Sequence, residues 1–257
     1  MARTIDLNSD LGESYGPWRM GDDDAILRIV TSANIACGAH ASDPETMFQT
    51  LTLAREQGVV AGAHPGFADR EGFGRRLIPH TTGEVERLVA TQIGTLMGAA
   101  ALAGATVRYV KAHGALGNWA AAEPEVAAAV ARAVKAVSPS LALLAISGTA
   151  LDRAGRDAGL PTFSEIFADR GYLSNGQLVP RSKPGAMIHD PEEAAARLVD
   201  FLSTGMMPVI DGAPIRLEAQ SICVHGDSAG AVAMARHVRQ RLTDAGIALA
   251  PFLDAAA

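Results

Sequence analysis

The sequence predicts an α/β fold: an irregular, TIM-barrel-like (β/α) barrel formed as one domain over residues 1–257. Three observations predict it. β-type runs alternate with helical patterns from end to end, which implies parallel strands joined by helical crossovers. No linker or composition break divides the 257 residues, and an α/β barrel of that length is ordinarily one domain. Four of the seven histidines end a β-type run with a glycine beside them or nearby, namely His40, His64, His113 and His225. Parallel strands would gather them at one end of the sheet, where such folds place their chemistry. An open doubly wound sheet is the alternative, although no G-x-G-x-x-G follows the first strand.

The elements follow in order. Arg3–Ser9 reads as a strand with Ile5 and Leu7 on one face, and Asp22–Val30 as a short helix. Thr31–Gly38 is the second strand. Ser42 or Asp43 caps the next helix, which tolerates Pro44 in its first turn and ends at Gly58. Strand Val59–Ala63 precedes a loop rich in glycine and arginine, Pro65–Pro79. Thr82–Ala103 is a long Ala/Leu/Val helix stopped by Gly104. Strand Thr106–Ala112, helix Glu123–Val137 and the unbroken apolar run Leu141–Ile146 come next, the last as expected of a strand covered on both faces. Gly148–Gly159 is helical and Thr162–Phe167 is a strand. The irregular stretch Ala168–Met187 exceeds ordinary connections and reads as a lid or substrate loop. Helix Pro191–Ser203, strands Pro208–Ile210 and Ile222–Val224, and helix Ser228–Ala245 complete the chain.

Composition narrows the function. The chain is 48% hydrophobic and 19% charged, with a net charge of -6 and no basic patch, which argues against nucleic-acid binding. Aromatics are only 5%, so Ala, Leu and Val must do most of the packing. Cys37 and Cys223 lie inside β-type runs and read as small buried hydrophobes in a reducing compartment, with thiolate metal ligation as the alternative. No signal-peptide core opens the chain and no apolar run reaches the roughly 18–20 residues of a membrane span. A cytoplasmic protein is the expectation. The Ala-rich helices 82–103 and 123–137 would pack in the core or across a self-association surface, so a homo-oligomer is open.

Chemistry concentrates at the strand ends. Period-2 alternation puts Asp6, Asn8 and Asp10 on one face of the first strand, with Asp10 and Glu13 at the rim near the histidines. A carboxylate beside imidazoles can hold a divalent metal, orient a tautomer or act as general base. The alternative is that Asp6 and Asn8 form a satisfied polar network and Asp10 caps a turn. His40, His64, His113 and His225 share one setting, whereas His80, His189 and His237 lack it and read as surface or helix residues. Glu165 is an acid inside an apolar strand, so it balances a buried cation or belongs to the site. Asp169, Arg170 and Tyr172 follow at that strand's exit. Arg170, or Lys183 on the long loop, would hold a substrate carboxylate by a two-point contact, unless each is a solvated surface charge. Lys111 shares the face of His113. Asp227 either caps the last helix or joins the site.

The ordered segments DLNSDLGES (6–14), ANIACGAHASDP (33–44), GAHPGF (62–67), VKAHGALGN (110–118), SEIFADRGY (164–172), SKPGAMI (182–188) and CVHGDS (223–228) resemble the LamB/YcsF family over nearly the whole chain. Members of that family are described as the A component of the prokaryotic 5-oxoprolinase. The resemblance implies a barrel of the glycoside hydrolase/deacetylase type and ATP-dependent opening of 5-oxo-L-proline to L-glutamate. It also implies two partner subunits, B and C. Deacetylases of that superfamily carry a metal on an aspartate and histidines, and Asp10, His40 and His64 occupy comparable places. The catalytic set expected is Asp10, Glu13, His40, His64, His113, Glu165 and His225. The substrate-binding set is Asn8, Lys111, Arg170, Tyr172 and Lys183. ATP is the expected cofactor, though the chain has no G-x-x-x-x-G-K-[ST] and the nucleotide would be handled with the partners. Two other readings compete: a stand-alone metal-dependent amidohydrolase or deacetylase, and a non-catalytic 5-oxoproline-binding subunit.

Overall fold

The computed structural model describes residues 4–226 and 230–253. Strands β1 (Thr4–Leu11), β2 (Ser32–Ala36), β3 (Val60–His64), β4 (Val107–Val110), β5 (Ala142–Ile146) and β6 (Thr162–Phe167) pair in parallel in chain order. β7 (Met206–Met207) and β8 (Ile215–Arg216) form a separate antiparallel ribbon. β9 (Ser221–Cys223) then lies between β6 and β1 and closes the barrel, and β10 (Ala248–Leu249) extends the start of β1. Around it run α1 (Asp23–Leu27), α2 (Pro44–Glu56), α3 (Thr82–Ala103), α4 (Gly114–Ala122), α5 (Pro124–Val137), α6 (Ala150–Asp157), α7 (Pro191–Thr204) and α8 (Ala231–Asp244). No described helix is long and apolar enough to cross a membrane.

Local chemistry sets the helix ends. The Asp43 side chain accepts from the Thr46 amide and Pro44 occupies the first turn of α2. Thr81 and Glu84 form a capping box on α3, and Gly104 ends it in the left-handed conformation at φ 65°. Val85, Val89, Ile93 and Leu96 of α3 are fully buried, and each contributes about 1.5–3 kcal/mol by leaving water. The Ala-rich α3 and α5 pack against each other, so much of their small-residue surface is used inside the molecule.

The barrel interior is polar. Ile5 and Leu7 of β1 join the apolar layer under the helices, while Asp6, Asn8 and Asp10 turn inward and are buried. Asp6 accepts hydroxyl hydrogen bonds from Thr31 and Ser32, and burial pushes its carboxyl up to about 6. Asn34 of β2 donates to Asn8 at 2.7 Å and Asp10 at 2.8 Å, and the Tyr109 hydroxyl donates to Asn34 at 2.7 Å. Gly62 leaves the room for that ring, since a Cβ there would overlap it.

The structure departs from the sequence pattern at several points. Pro208–Ile210 is not a strand: β7 stops at Met207, because proline has no N–H to continue a ladder. Residues 114–122, to which the sequence pattern assigns no element, form α4, whose Gly117 lies too close to the Ala112 carbonyl for a side chain. The short β10 was not anticipated. Asp227 lies outside the described residues, and the last helix begins at Ala231 rather than Ser228 among them.

Candidate active site

A cavity of about 510 Å³ sits at the carboxyl ends of the barrel strands, lined among others by Asp10, His64, Lys111, His113, Glu165 and His225. The first five of these are almost wholly buried. The strands place them directly: Asp10 ends the inward row of β1, His64 ends β3, Lys111 and His113 follow β4, Glu165 lies on β6 and His225 follows β9.

Lys111 is the buried cation that Glu165 requires. Its ammonium lies 3.0 Å from Glu165 Oε2 and 3.2 Å from Asp10 Oδ1, and donates to Asn8 Oδ1 at 3.2 Å and Cys223 Sγ at 3.0 Å. Burial opposes its charge, but Asp10, Cys223 and Glu165 outweigh burial and hold Lys111 well above its ordinary value. Burial pushes Glu165 up, with Lys111 pulling the other way. Burial also acts to raise Asp10, yet His64 and Lys111 prevail and hold it well below the usual carboxylate range. Cys223 is kept a thiol by burial.

The histidines have assigned tautomers. His64 Nδ1 lies 2.8 Å from the Lys111 carbonyl and His113 Nε2 lies 2.8 Å from the Phe73 carbonyl. A carbonyl only accepts, so both nitrogens carry protons and donate. Burial, then His64, holds His113 down to about 3, so it is neutral and its Nδ1 is a lone pair. That lone pair faces His64 Nε2 at 3.0 Å. Asp10 Oδ2 is 3.3 Å from His64 Nε2, and Glu13 Oε1 is 3.8 Å from His113 Nδ1. The cluster therefore converges acceptors on one point and calls for a cation, either a proton or a metal ion. Asp10, Glu13, His64 and His113 each offer a ligand atom within 4.8 Å of the others.

Beside the cluster, with ligand atoms of Asp10, Cys223 and His225 within 4.8 Å of one another, His225 Nδ1 lies 2.7 Å from Asp169 Oδ2 and 2.9 Å from Oδ1. Burial acts to raise Asp169, but His225 outweighs it and the carboxyl sits below its ordinary value. Asp169 thus fixes Nδ1–H, leaving Nε2 as an oriented lone pair, the arrangement of a general base.

A family model for LamB/YcsF proteins matches residues 5–257. The chain belongs to the LamB/YcsF family. It is 55% identical over 249 residues to the A subunit of 5-oxoprolinase from Azorhizobium caulinodans, covering 97% of this chain and 98% of the relative. The crystal structure of the lactam utilization protein from Thermus thermophilus is 42% identical, with a TM-score of 0.90 over 96% of this chain and 99% of that one. The T48 deacetylase, 14% identical with a TM-score of 0.50 over 96% of this chain and 87% of that one, shares the fold. This LamB/YcsF chain thus shares its barrel fold with that structure.

Several expected roles do not fit their places in this family member. His40 is not among the metal-competent cluster. Its ring lies flat on His113 at 3.7 Å, its nitrogens have no hydrogen-bond partner, and Nε2 is 3.4 Å from Glu13 Oε1. Burial, then His113 and His64, holds it well below its ordinary value, so it is a neutral buttress and His113 takes its place in the cluster. Asn8 lies beneath Lys111 and does not line the cavity. Tyr172 is fully buried in the core, its hydroxyl accepting from the Phe167 amide. Lys183 is exposed and outside the cavity lining. Arg170 does line it, but its guanidinium donates to the Ala186 carbonyl at 3.1 Å and the Val179 carbonyl at 2.7 Å, so it clamps the 168–187 loop. His80, His189 and His237 stand outside the cavity lining.

Sequence reasoning missed four contributors. Arg75 and Arg181 line the cavity from the two long loops. Arg181 stands two residues before Lys183 on the same loop, and no sequence pattern marks which of the two faces the cavity. Arg197 of α7 donates to the Phe167, Ala168 and Arg170 carbonyls and fixes the exit of β6. Phe73, at φ 54°, is held in the left-handed region, and it presents the carbonyl that orients His113.

Proposed function

We propose that this chain opens the lactam ring of 5-oxo-L-proline to L-glutamate, coupled to ATP hydrolysis, as the A component of a cytoplasmic 5-oxoprolinase with partner subunits B and C. The observation that carries the reading is the pairing, in one cavity, of an acceptor-lined cluster with a carboxylate-oriented histidine beside it. A lactam is a resonance-stabilised amide, so its opening needs charge stabilisation at the carbonyl oxygen and a proton for the leaving nitrogen. The names of relatives that cover the chain end to end support the substrate class.

In this reading ATP bound with the partner subunits would supply the phosphoryl group for the lactam oxygen, with ADP as the leaving group. His225 Nε2 takes a proton from the attacking water as the C–O bond forms. The C–N bond would then break as the ring nitrogen takes the proton held on His225 Nε2, leaving a γ-glutamyl phosphate. A second water releases inorganic phosphate and glutamate. Lys111 offsets the charge that develops beside Asp10 and Glu165.

The donor set fits a divalent metal ion: two imidazole lone pairs and two carboxylates, with His64 oriented from behind by the Lys111 carbonyl. A metal bound by His64, His113, Asp10 and Glu13 would act as a Lewis acid on the carbonyl. The same cluster favours a second reading, a metal-dependent amidohydrolase that needs neither ATP nor partners.

Glutamate release from 5-oxo-L-proline, assayed with and without partner subunits, ATP and a chelator, tests these readings. The proposal expects turnover only with partners and ATP, and its loss in His64→Ala and Asp10→Ala complexes. Those variants working at the wild-type rate would overturn it and leave a purely binding role. ATP-independent, chelator-sensitive hydrolysis would establish the second reading.

A further inference from the structure

With Arg170 committed to loop carbonyls and Lys183 outside the cavity, the substrate's negative group needs another partner. Arg75, Arg170 and Arg181 all line the one cavity. They crowd each other: burial, then Arg181, lowers Arg170 to about 10, with Arg75 adding to the effect. A cavity walled by guanidinium groups favours an anionic ligand. Arg181 is the exposed one of the 168–187 loop. Its Nη2 lies 3.3 Å from His225 Nε2 and its Nη1 3.3 Å from Met187 Sδ.

The His225 contact has a fixed polarity. Asp169 holds the proton on Nδ1, so Nε2 is the acceptor and Arg181 the donor. The lone pair that would take a proton from water is therefore covered by a guanidinium. An imidazole nitrogen and a thioether sulfur are neutral acceptors. A carboxylate accepts two parallel charge-assisted bonds from the guanidinium fork and competes with both.

We propose that Arg181 anchors the carboxylate of the substrate and, until it does, caps His225 Nε2, so that only a lactam bearing a carboxylate uncovers the base. This rests on the lactam reading above. It makes substrate recognition and base activation one movement of one side chain, on the loop that covers the cavity.

The test uses the full chain in complex with its partner subunits, as wild type, Arg181→Gln and Lys183→Gln. Binding is measured for 5-oxo-L-proline and for 2-pyrrolidinone, the same ring without the carboxylate. Labelling of His225 by diethyl pyrocarbonate is mapped without ligand, with exposed His189 and half-buried His237 as internal references. Arg181→Gln is expected to weaken 5-oxo-L-proline binding by about 10–100-fold, the worth of a hydrogen bond to a charged group. It should leave 2-pyrrolidinone binding unchanged and raise His225 labelling. Lys183→Gln should change neither. Retained preference for the carboxylated ring in Arg181→Gln overturns the anchor, and unchanged His225 labelling overturns the cap. If the wild type binds neither lactam while labelling rises in Arg181→Gln, the cap stands and the lactam reading falls.

Discussion

At the scale of single residues, the site depends on one ammonium shared by two buried carboxylates. Lys111→Met leaves Asp10 and Glu165 close together without it, and breaking a buried pair in this way costs about 3–5 kcal/mol. Urea unfolding should show that loss, and an unchanged midpoint would mean that the ammonium is not what permits the carboxylates. Asp169→Asn keeps the shape but no longer fixes the His225 proton. It should lower kcat on the order of 10²–10⁴-fold with little change in KM, read from steady-state glutamate release. A shift confined to KM would place His225 in binding rather than in proton transfer. The acids and imidazoles were legible because strand alternation and strand ends fix where such side chains point. Their partners were not: the Phe73 carbonyl reaches His113 from a loop 40 residues earlier in the chain, and no local pattern announces it.

At the scale of elements, two loops complete what the strands begin. The 65–79 loop walls the histidines. A Cβ on Gly74 would sit 2.8 Å from His40 Cβ and 2.9 Å from His113 Cδ2, at a φ of +62°. Gly74→Ala should lower stability by about 1–3 kcal/mol through strain and reduce activity further by splaying the stacked rings. Thermal unfolding and turnover on the same sample check it, and wild-type values for both would show that the loop tolerates the side chain. The 168–187 loop is held by the Arg170 clamp and by Gln177 donating to the Ala121 carbonyl at 3.1 Å. Arg170→Gln should speed limited proteolysis within residues 173–186, whereas an unchanged cleavage rate would remove the clamp. Loop length and glycine content marked this segment as a cover, but not which arginine holds it and which faces the cavity. That choice depends on carbonyls fixed only when the loop folds back.

At the scale of the whole molecule, the alternation of elements and the row of strand-end histidines made the barrel legible. β7 and β8 escaped because prolines and short length hide two-residue strands. The polar barrel interior has a consequence for pH. Folded His113 sits at about 3 and His40 well below 6.5, while unfolded histidines return to about 6.5. Below that pH the unfolded chain binds more protons, so stability falls as pH drops from about 6.5 toward 3. Asp6, raised to about 6 from 3.8, binds protons more readily when folded and offsets part of the loss in that narrower window. His40→Phe should flatten the acid limb of the urea midpoint against pH, and a limb as steep as wild type would show that His40 is not neutral in the fold.

The central claim is that His225, oriented by Asp169, performs the proton transfer that opens the ring. The most direct measurement is single-turnover glutamate formation by the complex carrying His225→Asn, alongside 5-oxo-L-proline binding to the same sample. The predicted result is binding within about threefold of wild type with the chemical step slowed on the order of 10²–10⁴-fold. A complex that binds the lactam and opens it at the wild-type rate would contradict the assignment.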